Sequence, residues 1–161
     1  METGSDVEVL TVADCLQLLA STEVGRVGVV IDGQPLIFPV NYVLDGRYVV
    51  IHTNWAKLSG TFGHVAFEID NFDPTTRSRW SVHVQGIGHD ITDSIDRTCE
   101  HLQTVPVEPW LPGPKPRLLR IEAETVSGWR CPGMPDPGQA PVAGGIAPGY
   151  FCYLQLPARD L

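Results

Sequence analysis

The sequence predicts a mainly β protein of the α+β kind, built as a six-stranded antiparallel β-barrel with peripheral helices, and three observations carry that prediction. β-Branched runs alternate with Asp-Gly pairs between residues 25 and 53, two more strand-like runs follow before residue 91, and only two short stretches show helical periodicity. A chain of 161 residues fits one domain whose core needs no disulfide or metal staple.

Thr11-Val12-Ala13-Asp14 has the form of a capping box, and Val12, Cys15, Leu16 and Leu19 then fall on one helical face. From Gly25 the runs Arg26–Ile31, Leu36–Leu44 and Arg47–Thr53 are separated by Asp32-Gly33 and Asp45-Gly46. Asp-Gly supplies the positive φ of tight hairpins, which predicts a three-stranded meander. In its second strand Leu36, Phe38, Val40, Tyr42 and Leu44 share one face, and Ile37, Pro39, Asn41 and Val43 the other. Both faces are largely apolar, as for a strand buried on both sides. Pro39 lacks an N–H and marks a place where pairing is interrupted.

His64–Asp70 reads as a fourth strand and Arg79–Ile91 as a fifth, in which glycines at 86 and 88 signal a bulge or the close approach of another backbone. A helix over about 94–103, a proline-rich turn and a sixth strand from Leu118 toward Val126 complete the barrel. Residues 1–9 read as a flexible N-terminus, 10–130 as the barrel domain, and 131–161 as a Pro/Gly-rich tail ending in Tyr150-Phe151-Cys152-Tyr153-Leu154. Those aromatics predict docking on the body or on a second subunit.

Composition excludes several classes. Nineteen acidic against 11 basic residues give a net charge of −8, with no Lys/Arg stripe to attract a nucleic acid. No apolar run approaches the roughly 20 residues of a membrane span. Cys15, Cys99, Cys131 and Cys152 form no C-x-x-C pair, which predicts free thiols in a cytoplasmic protein. The histidines His52, His64, His83, His89 and His101 show no metal-ligand spacing, and the common nucleotide, hydrolase and metalloprotease motifs are missing. What remains is Asn41 on the second strand, His52-Thr53-Asn54 at the end of the third, Lys57 beyond it, and Trp80-Ser81 on the fifth. A hydroxyl, backbone N–H groups and a lysine converging at a strand end suit a phosphate monoester.

The series V-G-R-V-G-V-V-I-D-G-Q-P-L-I-F-P-V-N-Y-V-L-D-G, then H-T-N and Lys57, V-A-F-E-I-D, and W-S-V-H-V-Q-G resembles the pyridoxamine 5′-phosphate oxidase-like family over residues 10–128. It looks closest to a small bacterial branch that includes proteins similar to nitroimidazole reductases. The resemblance implies a split β-barrel and a homodimer holding flavin mononucleotide (FMN) in a groove between subunits. By that likeness Val40 and Asn41 face the isoalloxazine ring, His52, Thr53 and Lys57 hold the phosphate, and Trp80-Ser81 provides a polar contact. The implied activity is flavin-dependent oxidoreduction of a small organic acceptor. Two departures qualify it. Asn54-Trp55-Ala56 is short and lacks the family's glycine, and the arginine- and histidine-bearing C-terminal signature is missing, so vitamin B6 oxidation is not expected. The alternatives are a deazaflavin F420 or haem ligand in the same fold, or a non-catalytic dimeric binding or stress protein with a degenerate groove.

Overall fold

The computed structural model describes residues 7–53, 61–111, 113 and 117–133. In chain order these form β1 (Glu8–Val9), α1 (Val12–Ser21), β2 (Val24–Ile31), β3 (Gln34–Asp45), β4 (Tyr48–Thr53), β5 (Thr61–Phe72), β6 (Arg79–Asp90), α2 (Arg97–Leu102) and β7 (Arg117–Cys131). Both central residues of the first hairpin, Asp32 and Gly33, have positive φ, 51° and 75°, as a type I′ turn requires. The second turn lies one residue later than Asp45-Gly46 suggests. Asp45 pairs with Tyr48, so Gly46, at φ 60°, and Arg47 are its central residues.

Six strands close into a ring in which β7, β4, β3, β2, β5 and β6 are successive neighbours and β6 returns to β7. The strand count among the described residues is seven rather than six, because Glu8 and Val9 pair with Arg130 and Trp129 outside the ring. A two-residue strand has no hydrophobic alternation by which a sequence could reveal it. Inside the ring Val27, Tyr42, Ile51, Phe67, Val84 and Ile121 are buried, with Tyr42 and Phe67 edge to face at a centroid separation of 4.8 Å. The opposite face of β3 is not buried as expected. Ile37 is 72% exposed and Pro39 lies open beside it, because α2 covers only the β4 side of the barrel.

The capping box forms, with the Asp14 N–H donating to Thr11 Oγ1 at 3.2 Å and the Thr11 N–H donating to Asp14 Oδ2 at 3.2 Å. Cys15 and Leu19 face the barrel end, whereas Val12 turns outward at 57% exposure. α2 is shorter than the periodicity suggests, since the Asp96 side chain caps it by accepting from the Thr98 N–H at 3.0 Å. It covers a second core made by Val50, Ile91, Cys99, Leu102, Val107 and Leu118.

The glycine signal on β6 marks a real bulge. Gln85 pairs with Thr125 but Gly86 pairs with Ala123, leaving Glu124 as the extra residue of β7. A β-carbon on Gly86 would collide with the Glu122 carbonyl. β7 continues past Val126 to Cys131, which is buried at 3% exposure. Cys15, Cys99 and Cys131 are all buried free thiols, and no described helix is long and apolar enough to cross a membrane.

Candidate functional site

β3 is longer than the strand beside it. It pairs with β2 from Gln34 to Asn41, but with β4 only from Tyr42 to Asp45. Among the described residues, therefore, no strand pairs with the β4-side edge of β3 between Gln34 and Asn41. The Tyr42 N–H donates toward the β2 side, to Glu23 O at 2.9 Å. By strand alternation the N–H groups of Ile37 and Asn41 point to the open side. Pro39 sits where its missing N–H costs no ladder bond, which is how this strand tolerates a proline.

Where β3 and β4 part, the ladder Tyr42–Ile51 extrapolates to Asn41 beside His52 on the outer face and Val40 beside Thr53 on the inner face. Val40 is 2% and Thr53 5% exposed, both turned into the barrel. The predicted set thus divides, with Asn41 and His52 placed to meet a ligand outside the ring. His52 Nδ1 lies 2.6 Å from Val107 O. A carbonyl only accepts, so Nδ1 carries the proton and Nε2 is left as an acceptor in the neutral ring. Lys57 lies outside the described residues, as does the Asn54-Trp55-Ala56 segment.

Trp80 and Ser81 take opposite sides of β6. Trp80 packs against the main core, while Ser81 lies on the outer face. Ser81 shares its rung with Asp70 and Trp129, and three strand spacings, about 14 Å, separate it from Asn41. Ser81 Oγ donates to Glu68 Oε1 at 3.0 Å and lies 2.9 Å from His83 Nε2. Its single proton goes to the carboxylate, so His83 Nε2–H donates to the hydroxyl. Beside them the Trp129 indole N–H is buried with no hydrogen-bond partner among the described residues.

The outer face is organised in rungs. Pro39, Arg26, Glu68, His83 and Ser127 form one, and Ile37, Gly28, Ala66, Gln85 and Thr125 the next. The first is polar, with Arg26 ion-paired to Asp70, which raises the guanidinium's already high pKa. The second is lined by small residues at its middle and opens as a cleft of about 560 Å³ between Ile37 and Val30 on one side and Gln85 and Thr125 on the other. Sequence reading missed Glu68 and this cleft. The only signal for them was strand alternation, which puts them on one face once the register across four strands is known.

A closed ring of six antiparallel strands, flanked by short helices and with part of one strand edge unpaired among the described residues, defines a split-barrel protein. A family profile described as pyridoxamine 5′-phosphate oxidase matches residues 11–130. The chain belongs to that family. An uncharacterized protein of Mycobacterium tuberculosis is 31% identical over 137 residues, covering 80% of this chain and 88% of its own length. Among solved structures, a putative pyridoxamine 5′-phosphate oxidase from Corynebacterium glutamicum superposes with a TM-score of 0.68 at 25% identity, covering 81% of this chain and 96% of its own. The FAD-binding protein of Mycobacterium smegmatis does so with a TM-score of 0.60 at 28% identity, covering 77% and 97%.

Proposed function

We propose that this protein is a flavin-dependent oxidoreductase of the cytoplasm, binding FMN beside the open edge of β3 as a homodimer. It acts on a small organic acceptor with a reduced nicotinamide or similar donor. The edge of β3 that is unpaired among the described residues is the observation that carries the reading. Backbone donors at Ile37 and Asn41, with the Asn41 side chain and His52 beside them, suit the hydrogen-bonding rim of a planar heterocycle. The mycobacterial FAD-binding relative supports a flavin in this scaffold.

A bound flavin supplies the two-electron chemistry. The chain's own residues bind and orient it. Asn41 and the β3 backbone fix the ring, His52 is held by Val107 with Nε2 turned to accept a hydrogen bond, and Lys57 supplies charge for the phosphate. Thr53 faces the core, so the phosphate end rests on Lys57 and His52 more than on the threonine hydroxyl.

A specific observation favours haem as a second reading. Nδ1 of His52 donating to a carbonyl leaves Nε2 as the free nitrogen, the arrangement of metal-ligating histidines. For F420, two of the four arginines that could meet its acidic tail, Arg26 and Arg47, are paired with Asp70 and Glu122, which leaves Arg77 and Arg79. The test is the absorption spectrum of the purified protein, followed by mass spectrometry of whatever denaturation releases. FMN bands support the leading reading, FAD revises the nucleotide, and a Soret band replaces flavin by haem. A colourless protein that takes up neither flavin leaves the degenerate, non-catalytic alternative.

A further inference from the structure

Between helix α1 and the barrel end that it covers lies a cavity of about 270 Å³, walled by Leu16 and Leu19 of α1, Leu44 of β3, Val49 of β4, Val84 of β6 and Val126 of β7. Val12, 57% exposed, stands at its mouth. The cavity meets β3 at Leu44, on the inner side of the ring and within the stretch paired with β4, so it is separate from the unpaired edge of that strand and from the outer face. Two directional bonds hold its walls in place. The Tyr42 hydroxyl donates to Leu19 O at 2.6 Å and fixes α1, and the Ala123 N–H donates to Arg47 O at 3.1 Å and fixes the β3–β4 turn against the β7 bulge. Leucine and valine side chains lining such a space lack partner atoms on one side, and an apolar occupant restores those contacts.

We infer that this cavity binds a small uncharged aromatic molecule with the bulk of one ring or two fused rings. Volume sets the size. An apolar cavity of about 150 Å³ accepts benzene and drug-sized ligands fill about 300–1,000 Å³, so this space takes something between the two. Charge sets the class. Among the described residues, Arg47 and Glu124 bring the only charged side chains to the lining. Arg47 is ion-paired with Glu122 and its guanidinium lies 5.8 Å from the centre of the Tyr48 ring, while the Glu124 carboxylate lies 3.7 Å from His64. Glu122, Tyr48 and His64 stand on the outer face, since Ile121, Val49 and Val65 beside them in the chain are buried inside, so both charges are drawn away from the cavity. A charged ligand would lose its hydration among leucines and valines and gain no ion pair. A rigid ring also loses less conformational freedom on binding than an alkyl chain of equal volume.

The probe is indole, titrated into the full-length chain in the presence of excess FMN and followed by the broadening of the indole proton signals in NMR spectra. Indole is expected to bind with a Kd below about 1 mM. Indole-3-acetate and tryptamine, which add a negative and a positive charge to the same ring, are expected to bind at least about tenfold more weakly. Val12→Trp sets a ring into the mouth and is expected to weaken indole binding at least about tenfold, whereas Val9→Trp, at an 81% exposed position outside the lining, should leave it unchanged. Both positions are exposed, so both variants are expected to fold, which circular dichroism checks. No binding, binding that excess FMN abolishes, or equal binding by Val12→Trp overturns the inference, and so does tighter binding of either charged analogue.

Discussion

The hydroxyl of Tyr42 donates to the carbonyl of Leu19 across 2.6 Å, joining a strand of the barrel wall to the helix that closes one end. Both residues are almost wholly buried, and Thr22 Oγ1 lies 2.6 Å from the same hydroxyl. Burial raises the Tyr42 pKa, with the Thr22 hydrogen bond opposing it, so the phenol stays a donor at neutral pH. Helix α1 is thereby fixed by a directional bond as well as by the packing of Cys15 and Leu19.

Tyr42→Phe removes that donor and keeps the ring against Phe67. The Leu19 carbonyl loses a partner in a dry site, which costs about 1–3 kcal/mol. Urea unfolding should show a lower midpoint with an unchanged slope, and flavin affinity should not move, because the hydroxyl points to the helix and not to the open edge.

Gly86 and Gly28 should respond differently to the same substitution. A β-carbon at Gly86 meets the Glu122 carbonyl, whereas one at Gly28 meets the Ala66 methyl at 3.6 Å and the Ala66 carbonyl oxygen at 3.7 Å, both ordinary contacts. Gly86→Ala is expected to destabilise by about 1–3 kcal/mol or more through backbone displacement at the bulge. Gly28→Ala should change stability by less than about 0.5 kcal/mol. Thermal unfolding of the two variants side by side reads the contrast.

These two glycines also show what a sequence can disclose. Gly86 stood out because glycine interrupts an alternating run, and the bulge it predicts is there. Gly28 sits in V-G-V-V, where nothing marks it as the floor of a cleft. That role exists only after β2 is set between β3 and β5. The same division runs through the site. Pro39 announced an interrupted strand from its missing N–H, and among the described residues β3 has no β4 partner there. The inward turn of Thr53 and Val40, by contrast, depends on which face the barrel encloses, and the apolar residues on both faces of β3 concealed it. Glu68, Ser81 and His83 come together because two strands of opposite direction align residues far apart in the chain, a register that no local pattern specifies.

At the open edge, Asn41→Leu preserves side-chain size while deleting the amide. The flavin dissociation constant should rise by about tenfold, equivalent to about 1.4 kcal/mol. Titration of the apoprotein with FMN, followed by flavin fluorescence, measures it. Val40→Ala, one residue away but inside the barrel, should instead lower stability by about 1–3 kcal/mol and leave affinity nearly unchanged. Equal effects on binding from both would mean that the ligand does not lie along the outer side of β3.

His89 predicts the pH dependence of stability. It pairs with Arg120 across the β6–β7 ladder, and its pKa is lowered from the ordinary 6.5, first by burial and then by the Arg120 charge. In the unfolded chain neither influence remains, so below about pH 6.5 the unfolded state binds the proton more readily. Stability from this group is therefore full above the unfolded value and is lost as pH falls through the lower, folded value. The carboxyls of Asp14 and Asp73 are also lowered, by hydrogen bonds from Thr11 and from Thr75 and Thr76, but they act only below their ordinary 3.8. The two windows are separate. Unfolding midpoints should decline as pH drops from neutral to about 5, and His89→Asn should flatten that decline while leaving the steeper loss near pH 3 to 4 in place. An unchanged slope in the variant would assign the decline to another histidine.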